Sequence, residues 1–132
     1  MDLDGRHRIQ SLVTRPAVYV HSNDTLRDAS RTLVDESIGA ALVRGPHGVI
    51  GLVSERDIVR AVADGAVVSR TPVSEIMATD LVTAAPSDDV LEVVHRMLEA
   101  EVRHVPVVEN GVAGGMVSVR DALALLAGEH HG

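Results

Sequence analysis

Two hydroxyl–carboxylate pairs carry most of the polar chemistry in this chain: Ser54 with Asp57, and Ser118 with Asp121. In each, the aspartate follows the serine by three residues, a glycine (Gly51, Gly115) precedes the serine by three, and an arginine (Arg56, Arg120) stands between them. Ser-x-x-acid ahead of an apolar run first describes a helix N-cap, with the hydroxyl taking a free backbone N–H and the acid reaching back. The same groups also suit a ligand. A helix N-terminus at the carboxyl edge of a strand favours anions, and a glycine without Cβ lets another group approach. A carboxylate matches a pair of vicinal hydroxyls, while a hydroxyl with an arginine matches phosphate. Those are the parts of a nucleotide. Neither serine has an evident base and orienter. No metal-ligand spacing and no glycine-rich phosphate loop occurs, so no catalytic residue and no metal site is expected.

The elements that position these groups are written twice. Gly51-Leu52-Val53-Ser54-Glu55-Arg56-Asp57 returns 64 residues later as Gly115-Met116-Val117-Ser118-Val119-Arg120-Asp121, and the register extends without a gap from Val18 onto Val82. A fixed period marks a repeat architecture. The expected units are residues 9–71 and 72–126, with flexible tails at 1–8 and 127–132. Each unit parses as β-α-β-β-α. A first strand (Ala17–Val20; Leu81–Ala84) leads to a polar cluster fit to cap a helix (Ser22, Asn23, Asp24; Ser87, Asp88). Val90, Val93, Val94, Met97 and Leu98 then show helical spacing, matched more weakly by Leu26, Ala29, Leu33 and Val34. Strands Ala40–Arg44 and Val49–Val53, and Val105–Glu109 and Val112–Val117, flank hairpin turns; Asn110-Gly111 favours a type I′ turn. The last helix of each unit starts at the Ser-x-x-Asp motif, with Ile58, Val59 and Val62, or Ala122, Leu123, Leu125 and Leu126, expected inward.

Composition narrows the class. Apolar residues make up 45% of the 132, so a core is within reach, yet Tyr19 is the single aromatic and neither Phe nor Trp occurs. A planar ligand would therefore meet aliphatic side chains rather than stacked rings. The net charge is −7, and all 12 basic residues are arginine, a bias typical of GC-rich bacterial genomes. An acidic chain without a basic stripe argues against nucleic acid as partner. Absence of cysteine excludes disulfide and thiolate chemistry. No apolar run reaches bilayer length and no signal-peptide pattern opens the chain, so no membrane role and a cytoplasmic location are expected. The adjacent His130 and His131 are weak evidence for a metal.

With the doubled Gly-x-x-Ser-x-x-Asp and the stretch Val105-Pro106-Val107-Val108, the sequence resembles a tandem pair of CBS domains (cystathionine-β-synthase-type repeats) of the stand-alone bacterial type, over nearly the whole chain. The resemblance implies an α+β fold of two β-α-β-β-α repeats packed through their sheets with pseudo-twofold symmetry, leaving two clefts. It implies a regulatory module, not an enzyme, that binds AMP, ADP, ATP or S-adenosylmethionine, requires no cofactor, and signals to an effector protein. Asp57 and Asp121 would take ribose hydroxyls. Ser54, Ser118, Arg56 and Arg120 would face phosphate. Val18, Ile38, Ala40, Val82 and Val102 would line the base, with backbone near Thr14 and Ala78 reading the adenine edge. Arg103 and His104, just before Val105-Pro106, would reach phosphates, although they read equally as a solvated helix-end arginine and a packed neutral imidazole. Their counterparts, Gly39 and Ala40, carry no charge, which predicts one competent cleft and one weaker or empty. The alternative is a ligand-independent homodimeric interaction module with vestigial clefts, its helices Thr25–Glu36 and Asp89–Glu101 pairing across a twofold.

Overall fold

The computed structural model describes residues 7–128. Most of the expected tails, with the His130–His131 pair, lies outside these residues. Within them, the His7 carbonyl accepts the Val90 N–H at 2.9 Å, and residues 127–128 close the last helix. The chain forms two compact units, one of residues 18–81, the other of residues 7–17 together with 82–128. The repeat boundary at 71/72 follows the sequence period; the spatial grouping follows cuts at 17/18 and 81/82.

The first unit runs β1 (Tyr19–His21), α1 (Leu26–Glu36), β2 (Ala40–Gly45), β3 (Gly48–Ser54) and α2 (Glu55–Ala63). Its sheet has the order β1-β2-β3, with β1 parallel and β3 antiparallel to β2. Thr25, one residue beyond the polar cluster, caps α1 in a reciprocal box with Asp28. Asp24 holds the preceding turn instead, accepting the His21 N–H at 2.9 Å. Leu26, Ala29 and Leu33 bury one stripe of α1 against Ala41, Val43 and Val53 of the sheet, with Ile58 from α2. Each large aliphatic side chain so buried contributes about 1.5–3 kcal/mol. Val59 and Val62, expected inward, are 68% and 49% exposed. A helix of nine residues turns only Ile58 and Ala61, three apart, toward the core, and leaves its other faces outward.

The second unit holds α3 (Val90–Ala100), β4 (His104–Glu109), β5 (Val112–Ser118) and α4 (Val119–Gly128). Strands β4 and β5 pair antiparallel through a two-residue turn in which Asn110 and Gly111 have φ of 53° and 78°, the I′ signature. The expected strand Leu81–Ala84 does not form. Only Ala84 bridges, in parallel with Val107. In the first unit the Leu42 N–H donates to the Val18 carbonyl at 2.9 Å. The residue 64 positions later is Pro106, which has no N–H to give, so the ladder loses that rung. Asp89 caps α3, while Asp88 accepts the Ala85 N–H and pairs with Arg96 at 3.1 Å. These contacts, the Ala85 N–H first, hold the Asp88 carboxyl below its usual value. Leu98 and Leu123 are exposed, as is Val34 in the first unit.

Segment 7–17 completes this unit. Ile9 is fully buried among Ala84, Val90, Val93 and Met97. Its N–H donates to the Asp88 carbonyl at 2.9 Å, and the Gln10 N–H to the Pro86 carbonyl at 2.9 Å. In the first unit Val73 N–H donates to Asp24 and Ser74 N–H to Ser22, at 2.8 and 3.1 Å. The donors and acceptors of the two sets are each 64 residues apart.

Candidate functional site

In the first repeat, β3 runs into α2 at Ser54. The Glu55 N–H donates to the Gly39 carbonyl at 2.9 Å, and Ala40 opposes Ser54 in the ladder. The full capping box forms. The Asp57 N–H donates to Ser54 Oγ at 3.1 Å, and the Ser54 N–H donates to Asp57 Oδ2 at 3.0 Å. The Ser54 hydroxyl also donates to the same oxygen at 2.9 Å. Asp57 is thus bound into its own helix start. Gly51 lies beneath a close crossing, where a Cβ would stand 2.8 Å from the Ala78 carbonyl oxygen.

The second repeat copies the backbone but not the box. The Val119 N–H donates to the Arg103 carbonyl at 2.8 Å, and His104 opposes Ser118. The Asp121 N–H donates to Ser118 Oγ at 3.0 Å. No bond returns from the Ser118 N–H to the Asp121 carboxylate among the described residues, and Asp121 is exposed. Arg103 and Arg120 are exposed nearby in sequence, and neither forms an ion pair with a described residue. Arg56 in the first repeat is likewise exposed and unpaired within the same set.

The remaining candidates divide by unit. Val18, Ile38, Ala40 and Ala78 share the first unit with Ser54, Arg56 and Asp57. Thr14, Val82 and Val102 share the second with Arg103, His104, Ser118, Arg120 and Asp121. Val18, Ile38, Val82, Val102 and His104 are half-buried, Ala40 is buried, and Thr14 and Ala78 are exposed. The Ala78 N–H and carbonyl are both bonded to Leu52, at 2.8 and 2.9 Å, so neither is available for an adenine edge. The carbonyls of Gly39 and Arg103, which hold the two helix starts in place, were not singled out from sequence; their shared place in the 64-residue register was the available signal. Among the described residues no group of three His, Cys, Asp or Glu side chains could hold a metal ion. No described helix is long and apolar enough to cross a membrane.

The chain is similar to several solved structures. A CBS-domain protein from Agrobacterium tumefaciens, ATU1752, superposes with a TM-score of 0.84 at 31% identity, covering 94% of this chain and 97% of that one. The CBS domain protein PAE2072 from Pyrobaculum aerophilum, complexed with AMP, gives a TM-score of 0.81 at 30% identity over 92% and 99% of the two chains. The CBS domain pair of protein MJ0100, in complex with 5-methylthioadenosine and S-adenosyl-L-methionine, gives 0.85 at 25% identity over 94% and 98%. Curated relatives can be longer: the chain spans 37% of a protein from Thermofilum pendens, at 32% identity, and 58% of a mitochondrial CBS-domain protein from Arabidopsis thaliana, at 30%. The pattern of the CBS domain matches residues 9–64 and again 73–128. The chain belongs to the CBS-domain family, as a tandem pair of repeats.

Proposed function

We propose that this CBS pair is a regulatory module that binds an adenine nucleotide through the second repeat, with the first repeat as a weaker site. The observation that carries this reading is the start of α4. There an aspartate and two arginines occupy one helix N-terminus and its flank without ion-pairing to described residues. Asp121 takes the ribose hydroxyls, and Ser118, Arg120 and Arg103 take phosphate, joined by His104. Val82 and Val102 lie against the base, with the backbone at Thr14 at its edge. At the first repeat Asp57 and Ser54 must leave their box to serve a ligand, Arg56 is the nearby cation, and Val18, Ile38 and Ala40 line the base. Two relatives in complex with adenosyl compounds support the ligand class. The cationic flank favours AMP, ADP or ATP over S-adenosylmethionine. The bound state passes to an effector protein through differential affinity for two conformations.

Calorimetry with AMP, ADP, ATP and S-adenosylmethionine tests the proposal. Asp121→Asn removes a charged hydrogen bond of about 1.5–3 kcal/mol, a loss of about one to two decades in affinity. Asp57→Asn is expected to change the tighter event little. Absence of heat and of any melting shift at millimolar ligand would sink this reading. It would favour a ligand-independent homodimer, for which the exposed Val34, Leu91 and Leu98 on the first helices of the repeats are the candidate surface.

A further inference from the structure

The second unit contains a hollow of about 440 Å³ at the hairpin end of β4 and β5, away from Ser118 and Asp121. The first repeat shows how it arises. There Met77 lies across Gly51, its Sδ 2.7 Å from where a Cβ would stand, and Ile50 folds over Gly45, with Cδ1 3.0 Å from that Cβ position. Sixty-four residues on, Met77 is answered by Val13 and Ile50 by Gly114. Val13 still covers Gly115, but nothing lies within 4 Å of a Cβ built on Gly114. The border changes the other way: Gly45, Gly48 and Ser74 become Glu109, Val112 and Gln10. Bulk has left the middle and risen at the edge. What is a filled surface in one repeat becomes a walled hollow in the other, floored by the buried Val107 and Gly115.

We infer that this hollow is a separate small-molecule site, for a compact branched or cyclic aliphatic ammonium ion. Its volume lies within the range of ligand pockets. Its walls are aliphatic, so apolar contact supplies most of the affinity. Glu109 is the one charged side chain that borders it, and a solvent-exposed carboxylate selects a cation modestly. The site is independent of nucleotide binding, because it shares no residue with the Ser-x-x-Asp turn.

Cyclohexylammonium, cyclohexanol and cyclohexanecarboxylate are suitable probes, titrated into the full-length protein and followed by amide chemical shifts. The ammonium is expected to perturb Val13, Val112, Gly114 and Gly115, and to bind about two- to fivefold tighter than the alcohol. The carboxylate is expected to bind weakest. Gly114→Ile restores the first-repeat side chain, and Gly114 lacks both a positive φ and a crowded Cβ position, so the fold accepts it. That variant should abolish the shifts, Val13→Met should weaken them, and Glu109→Gln should equalise ammonium and alcohol. Unchanged binding in Gly114→Ile, shifts centred on Ser118 and Asp121, no preference for the cation, or no response at the highest soluble probe concentration would each overturn the inference.

Discussion

The two repeats share a backbone and differ in what their side chains are free to do. Ser37 and Glu101, 64 apart, both close a helix in the left-handed region, with φ of 54° and 58°. Glu55 and Val119 donate to equivalent carbonyls. Yet Asp57 is bound on two sides by Ser54, whereas Asp121 is not reciprocated. Met77 and Ile50 fill space that Val13 and Gly114 leave open. The first repeat spends its polar and apolar groups on itself, and the second leaves them to something else. Duplication permits this division: one copy can hold the frame while the other departs from it, provided the backbone bonds survive.

The largest test of this comparison concerns the segment that completes the second unit. Ile9→Ala empties a fully buried position and should cost about 2–5 kcal/mol. Amide-resolved urea unfolding should show the loss in residues 82–128 and spare residues 18–81; loss in the first unit alone would break the assignment of segment 7–17. Next, Gly51→Ala pushes a Cβ against the Ala78 carbonyl and the Met77 sulfur and should cost about 1–3 kcal/mol. Gly114→Ala, with open space around it, should change stability by less than about 0.5 kcal/mol. Similar losses from both would mean that the hollow is filled.

A smaller difference separates the helix starts. Without ligand, Ser54→Ala should lower stability by about 0.5–2 kcal/mol, because it dismantles the full box. Asp121→Ala should stay within about 0.5 kcal/mol, since its carboxylate accepts no bond from a described residue; thermal melts of both variants decide it. The smallest effect is on pH. The Asp88 carboxyl is held below its ordinary value of 3.8, so the unfolded chain binds a proton more readily than the folded one. Its stabilisation is present above about pH 4 and is lost as pH falls through the lower folded value. Acid titration of Asp88→Asn should show a flatter fall in stability below pH 4; an unchanged slope would remove the Asp88–Arg96 pair from the account.

Much of this was legible before any coordinates. The hairpins, the helix starts at Ser54 and Ser118, and the core stripe of α3 follow from local chemistry: turn residues, caps and 3.6-residue spacing. Three features were not. The strand at Leu81–Ala84 depended on a partner N–H that Pro106 lacks, a fact about a residue twenty-odd positions away. Val59 and Val62 read as inward because they are apolar, but a short helix at a sheet edge has more apolar surface than core to bury. At the candidate site, the residue types signalled two equal grips; only geometry separates a carboxylate used by its own helix from one that is not. The docking of segment 7–17 had a signal that went unread. Ile9, Leu12 and Val13 stand 64 residues before Val73, Ile76 and Met77, so the repeat register reaches back past Val18.

That shared register gives the chain a cyclic character. Thr71, whose carbonyl receives the Leu26 N–H, has as its counterpart His7, whose carbonyl receives the Val90 N–H. In fold order the chain reads 18 to 81, then 82 to 128, then 7 to 17, a rotation of its written order. In the first repeat, Gly65–Arg70 carries the chain from the end of α2 to Thr71. A connection of that length from Gly128 to His7 would allow the chain to be opened between Ala17 and Val18, so that each unit becomes continuous in sequence. As the chain is written, the first residues translated wait for the last ones before they have anything to pack against.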